Sequence, residues 1–400
     1  MEKMPELNKS KRDFLVHNFK LQCQLRGRHN FLNMARYGGK NESTYRNNYS
    51  FDFDFPSFNC ELIKSYFSDD CAIAFDPSYI RKSGKYTPGT GYFWSGCAGK
   101  NVWGLEIGGF AGVDIDENNA LHYMAHQTMF DKEIHGSLLK YYANLVLKEA
   151  ENILKVSNYL LVDAFFSREP FVSKVYNAGL EVVSRLRDDA DLLYPYTGPH
   201  PKRRGPKTKW VGKFDAKNLN KAYFTCCLVQ QDKDKGENYE LYEGTVYSKA
   251  LKRFIKVVVQ YKLDEQGEMK SYKLFFSTDT QLSGVMVFLL YKMRFQIEFL
   301  YRDAKQFTGL EHCQSRNEQK LDFHFNTSLT TVSLAKAAYH LDKPIEERKS
   351  FSMRDIKTQM FNELMMNIII KECGIFPNSP NIQKARVKVI NLGKIYHMAV

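Results

Sequence analysis

Four consecutive apolar residues, Ala72, Ile73, Ala74 and Phe75, run directly into Asp76, and the run Tyr159, Leu160, Leu161, Val162 ends in the same way on Asp163. Unbroken apolar runs of this length, too short for helices, predict strands buried on both faces. An acid at the end of such a strand projects into the crevice where open sheets bind ligands. LEVVSRL (residues 180–186) predicts another strand. Between the two acids, VWGLEIGGFAGVDI and ALHYMAHQT read as a hairpin joined at DENN, followed by a helix from about residue 136 to 154. Ser167–Pro170 opens a further helix, and from about 191 to 282 the pattern changes to alternation, GTVYSKALKRFIKVVVQYKL and EMKSYKLFFST, which predicts antiparallel strands. Residues 1–69 are polar with helical periodicity, and Phe351–Cys373 is amphipathic, with Ser352 and Asp355 at capping-box spacing ahead of a basic, irregular terminus.

The stretch YKMRFQIEFLYRDAK, Tyr291–Lys305, predicts a helix of a particular kind. At roughly 100° per residue, Tyr291, Arg294, Glu298 and Lys305 fall within about 60° of one another, while Phe295, Ile297, Phe299, Leu300 and Ala304 cover much of the remaining circumference. Such a helix is packed against protein and holds one carboxylate among three side chains able to contact phosphate. An ordinary solvated face with an Arg294–Glu298 pair, contributing about 0.2–0.5 kcal/mol, has the same spacing.

Tyr, two residues, Arg, three residues, Glu, six residues, Lys resembles the third catalytic stretch of the DDE transposases of bacterial insertion sequences, in the subgroup with the Tyr-Arg-Glu-Lys signature. The resemblance implies that Glu298 is the last of three metal-binding acids and that Tyr291, Arg294 and Lys305 contact transposon-end DNA. Asp76 and Asp163 take the other two acidic places, and the loop after Asp76, with Lys82 and Lys85, is similar to the basic run that follows the first acid in that family. It also implies an α/β fold, a ribonuclease-H-like mixed-sheet catalytic core (70–190 and 283–345) interrupted by a β-rich insertion (191–282). A helical N-terminal region (1–69) suited to DNA-end binding and a C-terminal helical region (346–400) suited to packing or dimerisation flank that core. The activity expected is metal-dependent strand cleavage and strand transfer on double-stranded DNA by a homodimer in its synaptic complex. A nuclease of the same fold without strand transfer, or a DNA-binding remnant without catalysis, are the other readings.

Charge and donor chemistry fit that expectation. Lys and Arg number 57 against 45 Asp and Glu, a net charge of +12, which favours a polyanionic partner. Three carboxylates without Cys or His companions point to Mg²⁺ or Mn²⁺, two ions per site, rather than zinc. PKRRGPKTKWVGK (201–213) carries Lys202, Arg203, Arg204 and Lys207 and no acid, and is read as a DNA-facing loop or a solvated linker. Trp210 inside it is read as a stacking partner for a displaced base, or as an anchor of the loop to its sheet. Asp114 and Asp116 are read as turn residues and His122, His126 and His135 as structural. The N-terminal MEKMPELNKSKRDF has no apolar signal core, the apolar run from 285 to 300 is broken by Lys292, Arg294 and Glu298, and the eight cysteines lack zinc-finger or disulfide spacing. A cytoplasmic, bacterial, nucleoid-associated protein without a membrane span is expected.

Overall fold

Strand β1 (Cys71–Arg81) organises the sheet. Its alternate residues feed two apolar layers: Ile73 and Phe75 enter one with Phe110, Tyr142 and Phe166, while Ala72 and Ala74 enter the other with Ile297, Leu300 and Leu329. A strand buried on both faces must be apolar throughout, which is why this stretch shows no alternation. The computed structural model describes residues 4, 7–68, 70–199, 207–232, 237–341, 343–344, 347–348 and 350–395.

β1 pairs antiparallel with β3 (Lys100–Asp114), which also pairs with β2 (Gly91–Ser95) and with β4 (Asn119–Gln127). On its other side β1 runs parallel to β5 (Tyr159–Leu161), and β5 parallel to β6 (Glu181–Arg185). The molecule is thus of the mixed α/β class. Helix α6 (Leu138–Leu154), preceded by the short α5 (Lys132–His135), and α7 (Glu169–Asn177) follow the hairpin and β5 and cover one face. The other face is covered by α8 (Gly284–Met293), α9 (Gln296–Asp303) and α10 (Glu318–His340).

The strands between 191 and 282 continue this sheet instead of forming a separate one. β7 (Leu192–Pro195), β8 (Trp210–Lys213), β9 (Thr225–Asp232), β10 (Glu237–Ser248), β11 (Arg253–Leu263) and β12 (Met269–Ser277) join through β12, which pairs antiparallel with β6. The hydrogen-bonded path runs β2-β3-β1-β5-β6-β12-β11-β10-β7-β8, with β4 on β3 and β9 on β10.

Helices α1 (Lys9–Gln24), α2 (Phe31–Gly38), α3 (Glu42–Asn48) and α4 (Phe55–Tyr66) enclose a small core of Phe14, Phe19, Tyr45, Tyr49 and Phe55 that α10 closes with Phe323. Tyr45 is therefore a core residue, its hydroxyl 2.7 Å from His17 Nε2. α11 (Met353–Glu372) begins at the expected cap, Ser352 Oγ accepting from the Asp355 N–H at 3.3 Å, but the following segment is not irregular: α12 spans Pro380–Ile390. Asp114 acts as the expected turn residue, accepting from the backbone N–H of Ser68 and of Glu117 at 2.9 and 2.8 Å.

Candidate active site

Asp76 is not at the end of its strand, because β1 stays paired with β3 as far as Arg81. On its other side β1 has no ladder partner at Asp76, since β5 stops opposite Ala74. Asp163 follows the end of β5 and caps a 3₁₀ turn, Ala164–Phe166, its Oδ1 accepting the Phe165 N–H at 3.0 Å.

The Tyr291–Lys305 stretch is not one regular helix. Tyr291 lies in the last turn of α8, the backbone breaks at Arg294 and Phe295, Glu298 lies in the first turn of α9, and Lys305 lies in a π-helical turn, Ala304–Thr308. Two anchors hold this broken segment against β1. The Tyr301 hydroxyl donates to the Asp76 carbonyl at 2.6 Å, and Lys305 Nζ donates to the Tyr79 carbonyl at 2.7 Å. Gly109, paired with Asp76 on β3, makes the first anchor possible, because a Cβ there would lie 2.1 Å from the Tyr301 oxygen. Burial of Ile297 and Leu300 beneath α9 adds about 1.5–3 kcal/mol each.

Arg294 stands at the centre of the acids. Its Nη1 is 3.4 Å from Asp76 Oδ1 and its Nη2 is 3.1 Å from Glu298 Oε1; the side chains are 13%, 19% and 39% exposed. Burial pushes the Asp76 carboxyl up to about 7; Arg294 opposes the rise, and the charges of Asp163, Glu298 and Glu106 add to it. Burial also raises Asp163, against the pull of Arg294 and of its two backbone donors. Asp76, Asp163 and Glu298, separated by 87 and 135 residues in the chain, thus sit in one electrostatic neighbourhood. Tyr291 completes it, half-buried against Phe275 at 5.0 Å between ring centroids and beside Arg294 at 5.9 Å.

A fourth acid belongs to the same environment. Glu106 on β3 is buried and raised to about 7 by that burial, despite accepting a hydrogen bond from Tyr142. The sequence carried a signal for it, a lone acid in the apolar run GLEIGGFAGV. Tyr301, three residues after Glu298, was the other site residue that helical spacing could have offered.

The remaining basic positions divide. Lys82 is turned inward, Nζ donating to the carbonyls of Cys313 and Ser315 at 2.6 and 3.2 Å, so it ties the loop after the π turn to the end of β1. Lys82→Ala is expected to raise amide exchange across residues 311–316 about tenfold or more, since two part-buried carbonyls lose their donor. Unchanged exchange, with only weaker DNA binding, would return Lys82 to the role of a phosphate contact. Lys85 and Lys207 are exposed. Lys202, Arg203 and Arg204 lie outside the described residues. Trp210 packs on Tyr247 at 4.6 Å and near Phe254 at 6.2 Å.

The donor set is all carboxylate, the chemistry a hard divalent cation takes, and the rise of Asp76 comes first from burial, with the neighbouring acids adding to it. Among the described residues no three carboxylate, His or Cys side chains are gathered around one point, and the cation between Asp76 and Glu298 is the Arg294 guanidinium. No model of a known protein family matches the chain, and no curated protein sequence does.

Proposed function

We propose that the chain is a DNA transposase of the DDE type, acting on double-stranded DNA by in-line phosphoryl transfer at Asp76, Asp163 and Glu298. The observation that carries the reading is that Asp76 of β1 and Glu298 of α9 pair with one part-buried arginine, Arg294, whose charge also acts on Asp163 after β5. The strand order β4-β3-β1-β5-β6, with β1, β4, β5 and β6 parallel and β3 alone antiparallel to them, supports a ribonuclease-H-like core. The net charge of +12 supports a polyanionic substrate.

In this reading Asp76, Asp163 and Glu298 hold Mg²⁺ or Mn²⁺. Two such ions, when bound, activate an attacking oxygen and stabilise the leaving one. Arg294 keeps the acids compatible with one another in the absence of other cations and retains an unused donor, its buried Nε–H, for a phosphate oxygen. Tyr291 borders the same point. Lys305 and Tyr301 fix the position of Glu298 relative to Asp76 through the β1 backbone. A homodimer bringing two DNA ends together belongs to the same proposal.

The test supplies the protein with Mg²⁺, a duplex bearing the inverted repeats that flank its coding region, and a target plasmid. Cleaved ends joined to the plasmid are the expected products. Cleavage without joining would favour the nuclease reading, and binding without cleavage the inactive remnant.

A further inference from the structure

Strand β2 is the terminal strand of the sheet path, and it exposes two large aromatic side chains on one face: Tyr92 is 72% and Trp94 62% exposed. Two residues along a strand set them about 6.8 Å apart. Tyr92 meets Trp103 of β3 edge-on at 5.4 Å, directly across the ladder. Trp103 in turn lines a cleft of about 800 Å³ with Arg28, Arg81 and Arg316. These arginines come from three segments, the turn after α1, the end of β1 and the loop before α10. The cleft also holds one carboxylate, Glu311, which accepts from the Arg81 backbone N–H at 3.4 Å and lies 4.0 Å from Lys305 Nζ; among the described residues no ion pair joins it to these three guanidinium groups. Arg316 instead lies 5.7 Å over the exposed ring of Tyr86. Arg81 is five residues beyond Asp76 on β1, roughly 17 Å along the strand.

Exposed rings next to three guanidinium groups and one carboxylate, a net positive cleft, are poor packing and good nucleic-acid chemistry. Each ring leaves a large apolar face in water that a base can cover, and the arginines can track the phosphates of the same strand. Duplex DNA offers no free base faces to rings standing on a sheet surface, so unpaired DNA is the occupant that uses both features.

We infer that the β2–β3 hairpin is a stacking platform for single-stranded DNA, with Tyr92 and Trp94 holding bases and Arg28, Arg81 and Arg316 holding the backbone in the adjoining cleft. The inference rests on the DNA reading of the acid site and adds a place for a strand unpaired near the cleavage point. It assigns base stacking to Trp94, whereas Trp210 is engaged by Tyr247.

The test measures binding of metal-free protein to fluorescein-labelled dT20 and to a duplex of the same length. Tyr92→Ala with Trp94→Ala is expected to weaken dT20 binding at least about tenfold while duplex affinity stays within about threefold of wild type. Tyr92→Phe with Trp94→Phe keeps an aromatic face and is expected to retain dT20 binding. Arg81→Gln with Arg316→Gln should weaken dT20 binding and lower its salt slope by about 1.4. Unchanged dT20 affinity in the alanine pair, equal loss on both probes, loss in the phenylalanine pair, or an altered sedimentation coefficient of the free alanine protein would each overturn the platform. Cleavage assays on the same preparations separate the two readings. Wild-type protein that never cleaves, with dT20 binding still lost in the alanine pair, removes the transposase reading and leaves the platform.

Discussion

Asp76→Asn is expected to end metal-dependent DNA cleavage, by on the order of a thousandfold or more, and to make the folded protein more stable than wild type at pH 8. The two effects have one origin. In the folded protein the Asp76 carboxyl holds its proton to about pH 7, against an ordinary value of 3.8. The folded state therefore binds a proton that the unfolded chain has already released, and stability falls as pH rises from about 4 to about 7. Above pH 7 the whole penalty is present, with a ceiling of about 4 kcal/mol for a shift of this size. Asparagine stays neutral at every pH and removes the slope, while the loss of one Arg294 partner offsets part of the gain. Urea denaturation at pH 5 and pH 8 measures both. A variant less stable than wild type at pH 8 would show that Asp76 holds the fold through Arg294 more than it burdens it. A functional acid that strains the fold is the usual trade of activity against stability.

Lys357→Met is expected to produce the largest loss of stability. The ammonium of Lys357, buried on α11, donates to the carbonyls of Phe307 and Gln22 at 2.6 and 3.2 Å and meets His29 Nε2 at 3.1 Å. His29 is kept neutral by burial, and its Nδ1 faces the Gln22 side-chain oxygen, which leaves Nε2 free to accept. Methionine fills similar space but strands three buried acceptors, at about 1–3 kcal/mol each before relaxation. A total of about 3–5 kcal/mol corresponds to a fall in Tm of about 5 °C for a chain of this length unfolding as one unit. Because Phe307 sits in the π turn with Lys305, cleavage should decline as well. A thermal melt with an unchanged midpoint would remove this cluster from the elements that hold the turn.

Much of this arrangement was legible in the chain and some was not, for identifiable reasons. Buried strands announce themselves as apolar runs, so β1 and β5 and their acids stood out. The length of β1 did not, because Pro77 reads as a breaker; β5 has already ended opposite Ala74, so that side of Pro77 carries no ladder to interrupt. The break at Arg294 was invisible since neither Gly nor Pro marks it, and the contacts fixing the segment, Tyr301 to Asp76 and Lys305 to Tyr79, join residues more than 220 positions apart. Lys82 shows the limit of composition. A lysine in a basic, Gly-rich loop looks like a phosphate contact, whereas the Lys82 ammonium donates to the carbonyls of Cys313 and Ser315. The Lys357–His29 cluster was out of reach, because no spacing rule connects two residues brought together only by packing of the chain's two ends.

The pairing of β12 with β6 makes the segment between 191 and 282 impossible to treat as a detachable module. Excising it and closing the chain would leave β6 as a bare parallel edge, its backbone donors and acceptors from Val183 to Arg185 presented to any other strand. A shortened protein of that kind should polymerise edge to edge rather than persist as a minimal core. Ancestral acquisition or loss of the segment would accordingly have required an alternative cover for β6 at the same step.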